Sequence, residues 1–430
     1  MNIWIVIPII LLFILFFLKV PVAYAMIIST LVYFLTNPNT MPTEMLIQRM
    51  VSTHESFTYL AIPFFACAGV VFNYSGITDR LMKLADLVLG HFTGGLGHVN
   101  IVLSALMGGL SGSANADAAM QSKMLVPEMV KRGYGKSYSA VVTAASSCIT
   151  PIIPPGIILI LYATVSNVSI EKMFYAGYVP GLIIMIALLV LNYGIAKKRD
   201  YKPTREKIAS GREIGKAVLA ALPALFMPFG IIMGLRLGIF TPTEAGAICV
   251  VYAVLVGKFI YRELKFSDLG KIIKESVSAT AGVMFIIASA NVLGMFLTWE
   301  RIPMMLSDLL VNHISSPWIL LLVINILLLI VGCFFEGGAA MVLLAPLLVP
   351  AVNAMGIDLI HFGIVMCINL TIAGFTPPFG AMMFVTTSIT GVKIEDYTKE
   401  AIPFIAVLVA VLGLLTFVPD IILFVPRLLS

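Results

Sequence analysis

Charge is scarce in this sequence: only 11% of its 430 residues are Asp, Glu, Lys or Arg, where a soluble domain carries about 25%. A chain of this size cannot cover its outside with so few polar groups, which excludes a soluble enzyme or a soluble binding module. Cysteine is scarce too. Cys67, Cys148, Cys249, Cys333 and Cys367 lie singly in or beside apolar segments, without metal-type spacing, so neither a disulfide framework nor a zinc site is indicated. The sequence has no G-x-x-x-x-G-K-[ST] loop, which excludes ATP hydrolysis within the chain, and its histidines form no H-E-x-x-H pair. Gly94-Gly95-Leu96-Gly97 reads as the start of a hairpin rather than a phosphate cradle. The formal charge of +5 is carried by short basic clusters between apolar runs. That pattern encodes membrane topology and gives no reason to expect nucleic acid.

What is abundant is apolar surface. Hydrophobic residues make up 60% of the chain, and the mean hydropathy is +1.03. Stretches long enough to span a bilayer run over 4–18, 20–36, 57–74, 137–166, 174–196, 215–235, 243–261, 277–298, 360–391 and 401–425. The first could pass for a signal-peptide core with Ala23-Tyr24-Ala25 as its cleavage site, but no basic segment precedes it, and it is read as a span. Two further apolar stretches, about 95–130 and 317–355, are interrupted halfway by Gly108 to Asp117 and by Glu336-Gly337-Gly338-Ala339-Ala340. Breaks at that depth predict the tips of re-entrant hairpins.

The halves resemble each other. Leu125-Val126-Pro127 recurs as Leu348-Val349-Pro350 (350 − 127 = 223), and Ile170-Glu171 recurs as Ile394-Glu395 (394 − 170 = 224). Pro155-Gly156 aligns with Phe379-Gly380 (380 − 156 = 224), and Pro21 with Pro242 (242 − 21 = 221). Basic residues at 197–216 and 258–274 predict cytoplasmic loops. Lys123, Lys131, Arg132 and Lys136 put the base of the first hairpin on that side, whereas 354–362 at the base of the second carries no Lys or Arg. Equivalent loops therefore face opposite sides. The expectation is an all-α polytopic protein with an inverted repeat, 1–196 and 215–430, joined by a cytoplasmic linker at 197–214, with both termini outside. Each repeat holds one hairpin and one broken helix (137–166 and 360–391), the device of secondary transporters.

Candidate site residues cluster at the breaks. At the first tip, Ser113, Asn115 and Asp117 offer hard oxygen ligands for a cation such as sodium, and the helix expected to start near Asp117 aims its N-terminus at a substrate carboxylate. A packing contact glued by Ser and Asn would explain the small residues but not the ionisable Asp117. Ser146 to Gly156 contains Pro151, Pro154 and Pro155, which cannot stay helical and would free carbonyls for an ion. Thr371 to Gly380 repeats the device with Pro377 and Pro378. Glu336 could meet substrate or cation, or be satisfied by nearby amides. Glu244, just after Pro242, reads as an acid in a first helical turn. Substrate contacts are expected at Ser111, Ser113, Asp117, Ser146, Ser147 and Glu336. Sodium contacts are expected at Ser113, Asn115, Thr150, Pro151, Gly337, Gly338, Thr371, Thr376 and Pro377. An intramembrane enzyme using Asp117 and Glu336 as an acid pair is disfavoured, because the repeat does not make the two acids equivalent and no nucleophile–base motif is present. The chain is therefore read as a transport protein and not an enzyme, with no cofactor.

Four segments carry a resemblance over essentially the whole chain: Gly108 to Met120, Ile149 to Pro155, Thr241-Pro242-Thr243-Glu244-Ala245 and Phe375-Thr376-Pro377-Pro378. With these the sequence resembles the large membrane subunit of the tripartite ATP-independent periplasmic (TRAP) transporters, leaning toward the sialic-acid branch. The resemblance implies sodium-driven uptake of an organic acid, sialic acid first and a C4-dicarboxylate next, across a bacterial inner membrane. It implies an elevator, in which hairpins and broken helices slide against a scaffold made of the remaining helices. It also implies two partners, a periplasmic substrate-binding protein and a separate small four-helix membrane subunit. A stand-alone carrier or exchanger of similar architecture, needing no soluble partner, is the competing expectation.

Overall fold

The computed structural model describes residues 3–18, 20–37 and 43–429; the outermost residues of the two expected repeats, 1–2 and 430, lie outside this range. Among the described residues the chain is almost wholly helical and has no strand. Eight helices among the described residues are long and apolar enough to cross a membrane, including Ile170–Lys198, Gly211–Arg236 and Ile394–Phe417. Their outward faces remain apolar: Val190 is 69% exposed and Leu219 70%. Such surface is stable against lipid and not against water.

The expected interruptions fall where the sequence places its breakers. The first hairpin is Gly95–Ser111 followed by Ala114–Lys131, and the second is Pro317–Phe334 followed by Gly337–Ala354. The broken helices are Lys136–Ser146 with Ile157–Val165, and Leu359–Phe375 with Ala381–Thr390. Each non-helical segment contains a cis Pro–Pro bond, at Pro154-Pro155 and at Pro377-Pro378.

Three features depart from expectation. The apolar run 401–425 is not one span: Ile394–Phe417 stops at Val418 and a new helix covers Pro419–Leu429. Pro419 drives the preceding residue out of the α region, and Val418 has φ −125° and ψ 76°. Second, two short amphipathic helices, Ile77–Leu89 and Ile302–His313, lead into the hairpins. The first buries Ile77, Leu81, Leu84 and Leu87 on one face and exposes Asp79 and Lys83. Such short charged segments fall below any hydropathy threshold for a span. Third, a helix at Glu44–Glu55, outside every expected span, packs on helix 269–299.

By contacts, the hairpins and broken helices pack with Ile170–Lys198, Ile394–Phe417 and Pro419–Leu429 into one inner group. The outer group comprises Ile3–Phe17, Val22–Thr36, Phe57–Tyr74, Gly211–Arg236, Pro242–Ile260 and Leu269–Trp299. Helices 170–198 and 394–417 pack with the hairpins and broken helices. Tyr138 on the first broken helix donates to Asn192. A Cβ on Gly177 would lie 2.3 Å from Ile152 O, so only glycine admits the break this close to helix 170–198. Tyr397 reaches Phe375 O at 3.2 Å, and His361 meets Leu415 O at 3.0 Å. The outer group has its own close contacts. Gly246 leaves room for Phe64, and Thr243 donates to Phe57 O at 3.0 Å.

Candidate functional site

The first hairpin turns because Gly112 takes a left-handed conformation (φ +57°). A Cβ there would sit 2.3 Å from Pro155 O, so the tip can rest directly on the broken helix only with glycine at this position. Ile157 N donates to Gly112 O at 3.3 Å, fixing the contact. Ser113 then caps the returning helix by accepting from Ala116 N at 3.4 Å. That helix starts at Ala114, three residues before the position expected from sequence. At the second tip Glu336 takes the same role, its carboxylate accepting from Ala339 N at 3.1 Å. Glu244 adopts the surface role expected of it, closing a capping box with Thr241.

The two tips meet at one cavity of about 190 Å³. Ser111, Ser113 and Asn115 come from the first tip, and Glu336, Gly337 and Gly338 from the second. Pro151, Ile157, Ile158 and Leu161 come from the first broken helix, and Leu370, Thr371, Gly374, Ala381 and Met382 from the second. The remaining wall belongs to the outer group: Ala66, Gly69, Val70 and Asn73 on helix 61–74, and Ala279 and Val283 on helix 269–299. The cavity therefore lies on the seam between the two helix groups. Gly69 sits so close that its Cβ would be 3.0 Å from Ser111 Cα. Asn73 is the polar residue on this wall that sequence reading missed. It stands beside Tyr74 near a span end with no motif around it, and only tertiary packing turns it toward the tips.

Six expected site residues are not in the cavity lining. Asp117 is fully buried behind the tip, on the side of its helix that faces the first broken helix. Its carboxylate receives Ser147 Oγ at 2.9 Å, Thr150 Oγ1 at 3.0 Å and Gln121 Nε2 at 2.9 Å, with Ser104 Oγ at 2.7 Å. Ser146 is also part of this network, donating to Asn100 Oδ1 at 2.7 Å while Ser104 lies 3.0 Å away. Asp117, Ser146, Ser147 and Thr150 thus clamp the hairpin to the broken helix and do not line the solute space. Burying a carboxylate is tolerable only with such a set of donors. Asp117 is not beside Glu336 at the cavity, which removes the geometric basis of an acid pair. Thr376 and Pro377 lie just past the end of helix 359–375, where Thr376 Oγ1 donates to Ile372 O at 2.7 Å. The second half uses an uncharged version of the clamp, with Asn369 Nδ2 2.7 Å from Asn325 Oδ1.

A polytopic all-α protein whose two broken hairpins converge on a small-solute cavity between two helix groups is a membrane transporter. The chain belongs to the family described as the DctM component of the tripartite ATP-independent periplasmic transporters, whose pattern it matches over residues 9–421. It is 39% identical over 414 residues to the sialic acid TRAP transporter large permease protein SiaM of Vibrio cholerae, covering 96% of both chains. To the C4-dicarboxylate TRAP transporter large permease protein DctM of Pseudomonas aeruginosa it is 36% identical over 384 residues, covering 88% of both. The solved structure of the YdaH transporter of Alcanivorax borkumensis superposes with a TM-score of 0.65 over 88% of each chain. At 11% identity, that likeness is one of fold alone.

Proposed function

We propose that this chain imports an organic acid, coupled to sodium, with the inner helix group moving as an elevator past the outer one. The observation that carries the reading is the position of the cavity. Both hairpin tips and both broken helices bring polar or backbone groups to it, while helices 61–74 and 269–299 supply a nearly apolar wall. A solute held by the inner group can then move with that group while its other side meets a surface offering little to hold it. The inner group includes helices 170–198 and 394–417, a larger mobile unit than hairpins and broken helices alone.

Ser113, Asn115, Thr371 and the carbonyls around Pro151 and Gly337 supply hard oxygens suited to sodium, and Glu336 places a carboxylate at the same cavity. At about 100 mV each net positive charge carried inward is worth roughly 2.3 kcal/mol. A monocarboxylate entering with a single sodium gains nothing from the potential, so two or more sodium ions are required for electrical drive. Basic clusters at 197–216 and 258–274 put those loops in the cytoplasm, in an inner membrane. On that orientation the wall residues 66–73 and 279–283 lie in the cytoplasmic halves of their spans, so the cavity stands in an inward-facing position.

Sialic acid is favoured over a C4-dicarboxylate by the sequence between Ser113 and Gly156 and by the likeness to SiaM. A periplasmic binding protein and a small four-helix subunit complete the system. The test is uptake of labelled sialic acid by proteoliposomes holding this chain and its small subunit, with sodium gradient and binding protein each present or absent. Uptake requiring both supports the reading. Uptake unchanged when potassium replaces sodium would sink the coupling, and uptake without binding protein would favour a stand-alone carrier. A null result with sialic acid alone directs the same assay to C4-dicarboxylates.

A further inference from the structure

A second crevice opens between the two helix groups at the opposite ends of the same two wall helices. It measures about 490 Å³. Arg49 on helix 44–55 lines it together with Tyr59, Asn291, Thr298 and Trp299 of the outer group, and Thr164, Val342 and Pro346 line it from the inner group. An adjoining hollow shares Tyr59 and Thr164 and adds Ser56, Thr58 and Asn167, with Glu171 at its wall. Among the described residues the Arg49 guanidinium has no ion-pair partner. Two acids on neighbouring segments are engaged elsewhere. Glu300 is bonded by Tyr33, and Glu171 accepts from Tyr175 at 2.6 Å.

The crevice is aligned with the central cavity. Ala279 and Val283 face the cavity, and Ala290, Gly294 and Thr298 face the crevice. At 100° per residue these five positions fall on one face of helix 269–299. Tyr59 and Val70 are likewise close in angle on the other wall. From Val283 to Met295 the offset is 295 − 283 = 12 residues, or roughly 18 Å of helix.

Resting on the transport reading and orientation above, we propose that this crevice is a receiving site on the external side for a hydroxylated carboxylic acid. Arg49 binds the carboxylate, the hydroxyls and amides of Tyr59, Asn291, Thr298 and Thr164 meet the hydroxyl groups, and the Trp299 ring covers an apolar edge. The chemistry fits the class. One unpaired guanidinium matches one carboxylate, and a surrounding set of neutral donors and acceptors matches a polyol without demanding a second charge. A displacement of the inner group by about the 18 Å offset would bring the hairpin tips from the lower wall to this one. The acid received here would then pass directly to the moving site.

The test uses Trp299 as reporter in the full chain with its small subunit in lipid nanodiscs, with Trp4→Phe and Trp318→Phe removing the other tryptophans. N-acetylneuraminate, succinate and N-acetylneuraminate methyl ester are titrated in sodium buffer, and uptake of labelled N-acetylneuraminate is measured in parallel. The expected result is a saturable change in Trp299 emission with the free acid and none with the ester. Arg49→Gln should weaken the midpoint about tenfold and Arg49→Lys less, because a guanidinium–carboxylate pair combines charge with two parallel hydrogen bonds. Sodium-driven uptake without any Trp299 response, or a response equal in Arg49→Gln, would overturn the receiving site and leave the transport reading standing. Absence of sodium-driven uptake for every acid tested would overturn the transport reading and this site with it.

Discussion

At the scale of single residues, the carboxylate that looks most functional in the sequence is buried in a hydrogen-bond network outside the cavity lining. Asp117 gathers four polar side chains around one buried carboxyl group: Gln121 from its own helix, Ser104 from the other arm of the hairpin, and Ser147 and Thr150 from the break in the first broken helix. Asp117→Ala should strip these donors of their acceptor and destabilise the protein by about 3 kcal/mol, read as a lowered melting temperature in detergent with uptake lost in proportion to folded protein. Asp117→Asn should cost less, since hydroxyl rotors can still pair with an amide. If Asp117→Ala melts like wild type yet fails to transport, the clamp role is wrong and a direct contact is restored. Gly112 is the second such residue. Gly112→Ala must place a methyl 2.3 Å from Pro155 O at φ +57°, so the tip must shift and uptake should fall at least tenfold. Both readings needed coordinates. The sequence shows that Asp117 lies in an apolar hairpin, but one turn of helix decides whether it meets the solute or the protein.

At the scale of elements, the breaks were legible and the roles of their polar groups were not. Proline and glycine interrupt helices for local reasons, through a missing N–H or a left-handed φ, so the ends of hairpins and broken helices can be read within a few residues. Helices 77–89 and 302–313 escaped because a short amphipathic segment carries no hydropathy signal, and the stop at Val418 was hidden inside a continuous apolar run. Glu336 shows a double role for one element end. It caps helix 337–354 and lines the cavity. Glu336→Gln keeps an acceptor for Ala339 N and should leave the melting temperature within about a degree, since the cap is retained, while uptake drops severalfold if the charge serves ion or substrate. Glu336→Ala should also lose the cap, about 1 kcal/mol. Equal uptake by Glu336→Gln and wild type would assign the residue to capping alone.

At the scale of the whole molecule, the prediction concerns relative motion of the two helix groups. Gly69 on the outer group and Ser111 on the inner group approach so closely that a Cβ on Gly69 would stand 3.4 Å from Ser111 Cβ, near the disulfide range of about 3.5–4.5 Å. A Gly69→Cys/Ser111→Cys pair in a background without Cys67, Cys148, Cys249, Cys333 and Cys367 should cross-link on oxidation. Uptake should then stop and return with reductant. Full uptake by the oxidised, cross-linked protein would exclude sliding at this seam.

The sequence by itself determined the solvent, the span positions, the two interruptions per half and the family, because each follows from local composition or from motifs contiguous in the chain. The tertiary structure decided which helices pack together, that Asn73 and Arg49 face the seam, and that Asp117, Ser146, Ser147 and Thr150 turn away from the cavity. Those outcomes depend on contacts between segments as much as two hundred residues apart, such as Cys148 Sγ against Thr371 O. No local pattern encodes which face of a helix such a partner will cover.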